Sequence, residues 1–280
     1  MPKVSIILPT FNRIAYLERC IRSCLRQTYA DLEVIVVDGA STDGSVEMLK
    51  ALAKEDKRLR FVSHPDEGEV YAVNEGISMM TGTIYGIQAS DDYYVGDAVE
   101  TAVNFLEKNK RFAGVAGDAL FIDQDGRHLE RGTITYRGRM SCDTRRTILR
   151  NRIGSPIVHG GFFGWKHVKD TVGPFDPAYA VTADYEYYMR LLAKGYELAS
   201  IARVFLYYTI HADMGAVKFR NKVIFQNRII RQNHGISGLD EIYLATIGRV
   251  KGYYRNDYRQ PLIKKLLTLM RTRGALLRQV

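Results

Sequence analysis

The sequence predicts an α/β protein: an open, mostly parallel twisted sheet flanked by helices, with a basic helical appendage at the C-terminus. Three observations carry this. Short, near-continuously apolar runs recur at residues 4–8, 33–37, 60–63 and 84–88, the pattern of parallel strands buried on both faces. Helical patterns alternate with them, as βαβ units require. The charge is segregated: residues 218–280 hold 14 Lys/Arg against Asp240, Glu241 and Asp257, and the rest of the chain is close to neutral. A uniformly basic protein would point to nucleic acid; a basic tail on a near-neutral body does not.

Taken in order, residues 4–8 form the first strand. Ile14, Leu17, Ile21, Cys24 and Leu25 follow as one helical stripe. The second strand at 33–37 leads to a helix carrying Val46, Leu49, Leu52 and Ala53. The third strand at 60–63 leads to a helix near 71–80, and the fourth strand at 84–88 to a helix after Gly96. Asp125-Gly126 between strand-like runs at 115–122 and 128–136 predicts a hairpin. Residues 145–152 read as a basic helix, Ser155 to Gly164 as a flexible segment with two adjacent glycines, and an amphipathic helix opens at Asp184. A strand at 198–209, a helix around 223–230 and an amphipathic basic stretch at 261–273 complete the chain. The expected division is a catalytic domain over 1–215, with halves 1–95 and 96–215, and an extension over 216–280.

Cys20, Cys24 and Cys142 have no metal-ligand spacing, and the first two read as small apolar core residues. No apolar run reaches the roughly 18 residues of a membrane span, and a strand begins at Val4 where a leader would lie. A reducing, cytoplasmic protein, peripheral at the inner face of a membrane if its tail binds one, is the expectation.

Ligands of open parallel sheets bind outside the carboxyl ends of the strands. Here those ends carry Pro9-Thr10-Phe11-Asn12-Arg13, Asp38-Gly39-Ala40-Ser41-Thr42-Asp43-Gly44, His64-Pro65-Asp66-Glu67-Gly68 and Ser90-Asp91-Asp92. Ser90-Asp91-Asp92 alone fits a turn as readily as a site. With the other three it fits a hard divalent cation and, through it, a diphosphate that bare carboxylates would repel. Neither a Gly-x-Gly-x-x-Gly run after the first strand nor a phosphate-binding Gly-x-x-x-x-Gly-Lys-Ser/Thr loop is present, which weakens dinucleotide and P-loop readings.

Residues 4–13, the run Val36-Val37-Asp38-Gly39-Ala40-Ser41-Thr42-Asp43-Gly44-Ser45, the spacing Asp66-x-Gly68-x-x-x-Ala72-x-Asn74-x-Gly76, and Ser90-Asp91-Asp92 together resemble family 2 glycosyltransferases over about residues 3–210. The resemblance implies a GT-A fold, a divalent cation (Mn²⁺ or Mg²⁺), a nucleotide-sugar donor, with a UDP-sugar first, and a glycan or lipid-linked acceptor. It assigns Pro9, Thr10, Asn12, Asp38, Asp66, Ser90 and Asp91 to the donor, Asp92 with Asp91 and His211 to the metal, and Asp184 to the catalytic base of an inverting transfer. Two positions depart from the family pattern: Ala89 and Tyr71 stand where many members carry an acid. The basic stretch 261–273 is expected to meet either an anionic membrane surface or the catalytic domain. A sugar-phosphate nucleotidyltransferase and a non-catalytic, degenerate member of the family remain as alternatives.

Overall fold

The computed structural model describes residues 1–134, 138–140, 155, 157–211 and 218–236. Cys142, the helix expected at 145–152 and the basic stretch at 261–273 lie outside these. Two compact units divide the chain, Met1–Ile236 and Ser237–Val280, and the second falls wholly outside the described residues.

The first unit alternates as its periodicity requires: β1 (Val4–Thr10), α1 (Ile14–Leu25), β2 (Leu32–Asp38), α2 (Ser45–Glu55), β3 (Leu59–Ser63), α3 (Glu69–Met79) and β4 (Ile84–Ile87). Every residue of β1, β2 and β4 is buried, which explains why these runs are apolar without alternation. A two-residue strand β5 (Tyr93–Tyr94), α4 (Ala98–Lys108) and the hairpin of β6 (Phe112–Ile122) and β7 (His128–Ile134) come next. Gly126 takes φ 83° at the hairpin turn, a conformation that glycine adopts without steric cost. Then follow β8 (Gly138–Met140), β9 (Phe162–Trp165), α5 (Lys166–Val172), α6 (Ala183–Ala193), β10 (Glu197–Thr209) and α7 (Arg220–Asn233).

The strands form one mixed sheet in the order β3-β2-β1-β4-β9-β6-β10-β5, with β7 on β6 and β8 on β10. β1, β2, β3 and β4 are mutually parallel. β9 is antiparallel to both β4 and β6, and β6 is parallel to β10. Six of the ten described strands therefore run one way, and their carboxyl ends share one edge. β1 lies between β2 and β4, so the order reverses there and opens a crevice at that edge. Pairing carries β1 two residues beyond the expected end, with Pro9 opposite Val37 and Thr10 opposite Asp38.

Two contacts fix the helices that frame the edge. At Gly76, α3 lies against the sheet so closely that an added β-carbon would stand 2.5 Å from Ile7 Cγ2. In α7 the side chain of Gln226 accepts from Thr182 Oγ1 (3.1 Å) and donates to Ala178 O (2.9 Å). That helix, which sequence reading placed in the extension, thus belongs to the first unit and holds the entry to α6.

Candidate active site

At the ends of β1, β2 and β3 the edge is a set of interlocked loops. Asp38, fully buried at the end of β2, accepts hydrogen bonds from Ser41 N (2.9 Å), Ser41 Oγ (2.5 Å) and Ser63 Oγ (2.7 Å). Direct contact with a base edge would require this loop to open. Asn12, at φ 51°, ties the first loop to the second: its N–H donates to Ser41 Oγ (2.7 Å) and its Oδ1 accepts from Thr42 N (2.9 Å). Asp43 caps the start of α1 by accepting from Ile14 N (2.9 Å). Asp66 lies beside Gly39, where an added β-carbon would meet its Oδ2 at 3.2 Å. Pro9, Thr10 and Ser90 are buried, and Thr10 Oγ1 has no partner among the described residues.

Asp91 and Asp92 follow β4 and are held by the end of β10. Thr209 N donates to Asp92 Oδ1 (2.8 Å), and Thr209 Oγ1 donates to the Asp91 carbonyl (2.6 Å). His211 Nε2 lies 2.8 Å from Asp91 Oδ2, its ring stacked on Tyr16 with centroids 5.2 Å apart. Burial and then the charge of Asp91 push the Asp92 carboxyl well above its ordinary range, with Thr209 N and Arg19 opposing.

The second half contributes Asp184, the second residue of α6 after the N-cap Thr182. Asn74 of α3 explains that placement: its side chain donates to Phe175 O (2.8 Å) and accepts from Phe175 N (3.0 Å). Arg190 grips the same loop through Val172 O and Pro174 O while pairing with Glu186. Glu186 is thereby committed to structure. The Asn74 and Gly76 positions of the motif position the site rather than line it.

Glu69, which opens α3, was not singled out by sequence. Crowding in the cleft, then the charges of Asp91 and Asp184, push its carboxyl up to about 7 against Arg13, although its surface stays open to water. An acid directly after Gly68 at a helix start was the available signal. Tyr208 receives the same charges: burial, then Asp92, Asp91, Asp184 and Glu69 push its hydroxyl up.

Among the described residues no three His, Cys, Asp or Glu side chains converge as a metal cage. The donor set nevertheless fits a hard cation that takes one or two carboxylates and completes its shell with phosphate oxygens and water. Asp91 keeps some exposure and one carboxylate oxygen free of His211. His211 would have to release Asp91 for Nε2 to reach a metal.

The pattern of a known family lies over this geometry. The family described as "Glycosyl transferase family 2" matches residues 5–169. Chondroitin synthase of Pasteurella multocida is 36% identical over 132 residues, 47% of this chain and 14% of that protein. The chain spans no more than about half the length of the first curated relatives it matches. Among solved structures, mannosyltransferase PcManGT from Pyrobaculum calidifontis in complex with GDP-Man and Mn²⁺ superposes with a TM-score of 0.63 at 20% identity, covering 100% of this chain and 81% of that one. S. aureus TarS 1–349 in complex with UDP-GlcNAc gives 0.61 at 17% identity, covering 76% and 60%. At these identities the structures speak to the fold, which is GT-A. With the family match extending over more than half of its residues, the chain belongs to glycosyl transferase family 2.

Proposed function

We propose that the protein is an inverting glycosyltransferase that moves a sugar from a nucleotide-diphosphate sugar, a UDP-sugar first, to an acceptor hydroxyl in polysaccharide or lipid-linked glycan synthesis. The observation that carries this is that the charges of Asp184, Asp91 and Asp92 all reach Tyr208, and those of Asp184 and Asp91 also reach Glu69. Asp184 takes the proton of the acceptor hydroxyl as its oxygen attacks the anomeric carbon, and the nucleotide diphosphate departs from the opposite face. Asp92 and Asp91 would hold the cation, which supplies electrostatic stabilisation to the leaving diphosphate. Thr209 and His211 orient that pair. Thr10, Asn12, Asp38, Asp66 and the Ser41 loop form the nucleotide wall.

The UDP-GlcNAc of the TarS structure and the GDP-Man and Mn²⁺ of the PcManGT structure support the donor class and the cation, and the chondroitin synthase relative supports a polysaccharide product. For the basic stretch 261–273, outside the described residues, we propose contact with an anionic membrane surface, with packing on the catalytic domain as the alternative. A donor screen that detects UDP or GDP release tests the reaction. Asp184→Asn is expected to lower turnover by about 100- to 10,000-fold with nucleotide affinity kept, and Asp92→Ala to abolish cation-dependent release. Pyrophosphate as product would replace this reading with nucleotidyl transfer. Near-normal turnover in Asp184→Asn would sink the base assignment.

A further inference from the structure

A 3-10 turn at His159–Gly161 leads into β9 and bridges the two charged poles of the cleft. On one side, His159 Nδ1 lies 2.8 Å from the Tyr188 hydroxyl. Tyr188 is one turn beyond Asp184 and so shares its face of α6, and the charge of Asp184 reaches both rings. On the other side, an added β-carbon at Gly160 would stand 4.0 Å from Asp92 Oδ2 and 3.4 Å from Gln88 Oε1. Gln88 is fully buried just past β4, and neither end of its amide has a partner among the described residues. The turn thus stands between Asp92 and the face of α6 that carries Asp184.

The hydrogen bond to Tyr188 fixes which nitrogen of His159 carries the proton. Tyr188 is fully buried, and Nδ1 is its one hydrogen-bond partner among the described residues. A proton on Nδ1 would leave the tyrosine O–H without an acceptor, an expensive arrangement in an interior. Tyr188 therefore donates to Nδ1, and the proton sits on Nε2. Burial holds His159 below its ordinary pKa against the pull of Asp184, which keeps the ring neutral. Nε2–H has no partner among the described residues.

We propose that His159 Nε2–H forms a subsite for a hydroxyl of the reacting sugars between Asp184 and Asp92. This rests on the transferase reading, and the test separates the two. With the donor found in the screen, His159→Leu is expected to lower kcat/KM about tenfold while leaving the affinity for UDP or GDP, which carry no sugar, unchanged by calorimetry. His159→Gln, which retains an N–H near the Nε2 position, is expected to recover most of the loss; thermal melts confirm that both variants fold. A loss that also appears in acceptor-free donor hydrolysis assigns the hydroxyl to the donor, and a loss confined to transfer assigns it to the acceptor. Tyr188→Phe releases Nδ1 and is expected to reproduce part of the defect. Nitrogen-15 NMR of histidine-labelled protein should show neutral His159 protonated at Nε2 at about pH 7 to 8. A folded His159→Leu variant within twofold of wild type in both reactions, or an Nδ1-protonated His159, overturns the subsite. If no donor releases nucleotide, the transferase reading fails instead, and the NMR result still decides the tautomer.

Discussion

Glu69 shows how a single carboxylate records the fold around it. Its neighbours Asp91 and Asp184 come from a strand end and from a helix more than a hundred residues further on, and with the crowding of the cleft they raise its carboxyl to about 7. The folded protein thus holds this proton more tightly than the unfolded chain, so Glu69 lowers stability as pH rises through the window from its ordinary value of 4.5 to about 7. Water reaches the side chain and screens the effect. Glu69→Gln is therefore expected to raise Tm by about a degree or two at pH 8 and to leave it unchanged at pH 4. Thermal melts at the two values check this, and an equal shift at both would mean that repulsion from Asp91 and Asp184 is not the cause. Thr10, Asp38 and Asp66 were legible in the sequence because each occupies a spaced motif. Glu69 was not, since its significance lies in partners that only the folded chain brings close. His159 was visible only as part of a flexible segment, because its role depends on Tyr188 and Gly160 on opposite sides.

Elements were legible where local pattern and burial agree. The four parallel strands, the Asp-Gly hairpin and α6 stand close to where periodicity placed them. β5 escaped notice because two residues carry no period, and its pairing with β10 at Tyr93–Tyr207 and Tyr94–Leu206 is wholly tertiary. The antiparallel insertion of β9 between β4 and β6 likewise has no local signature. At the other edge, a buried carboxylate locks the amino-terminal ends of the parallel strands. Glu33 of β2 accepts from Ser5 Oγ (2.6 Å), Thr81 N (2.7 Å), Thr81 Oγ1 (2.9 Å) and Arg60 (2.7 Å). Burial alone would raise its pKa, and these donors outweigh burial and bring it down to about 2. The stabilisation is complete above about pH 4.5 and fades as pH falls towards 2. Glu33→Gln is expected to cost about 2 kcal/mol at pH 7, with a gap from wild type that narrows below pH 4.5; urea melts at pH 7 and pH 3 measure it, and a gap independent of pH would contradict the charge-based account. Gly76→Ala should cost about 1–3 kcal/mol by forcing α3 away from Ile7. It should also weaken turnover, since Asn74 on the same helix anchors the loop that leads to Asp184.

At the scale of the molecule, charge and fold divide near the same place. The compact unit ends at Ile236, and its last helix, α7, secures Thr182 ahead of Asp184. Cutting before α7, at residue 215, would therefore strip support from α6, whereas cutting after Ile236 leaves the Gln226 contacts in place. A chain of residues 1–236 is expected to melt cooperatively within a few degrees of the full chain and to bind UDP or GDP with the same affinity by calorimetry. The removed residues 237–280 hold nine Lys/Arg against three acids, with Lys264, Lys265, Arg271 and Arg273 in the amphipathic stretch. Each basic side chain near an anionic surface contributes about 1 kcal/mol, and that attraction weakens as salt shortens the screening length. The full chain should accordingly co-sediment with phosphatidylserine vesicles at low salt and detach at high salt, with little affinity for neutral phosphatidylcholine. The shortened chain should bind the anionic vesicles at least about fivefold more weakly, the loss expected from one or more basic contacts. Equal binding by both chains would move the membrane contact to α7, where Ile224 and Phe225 are exposed beside Lys222 and Arg228. Binding by neither would leave the basic tail to pack on protein.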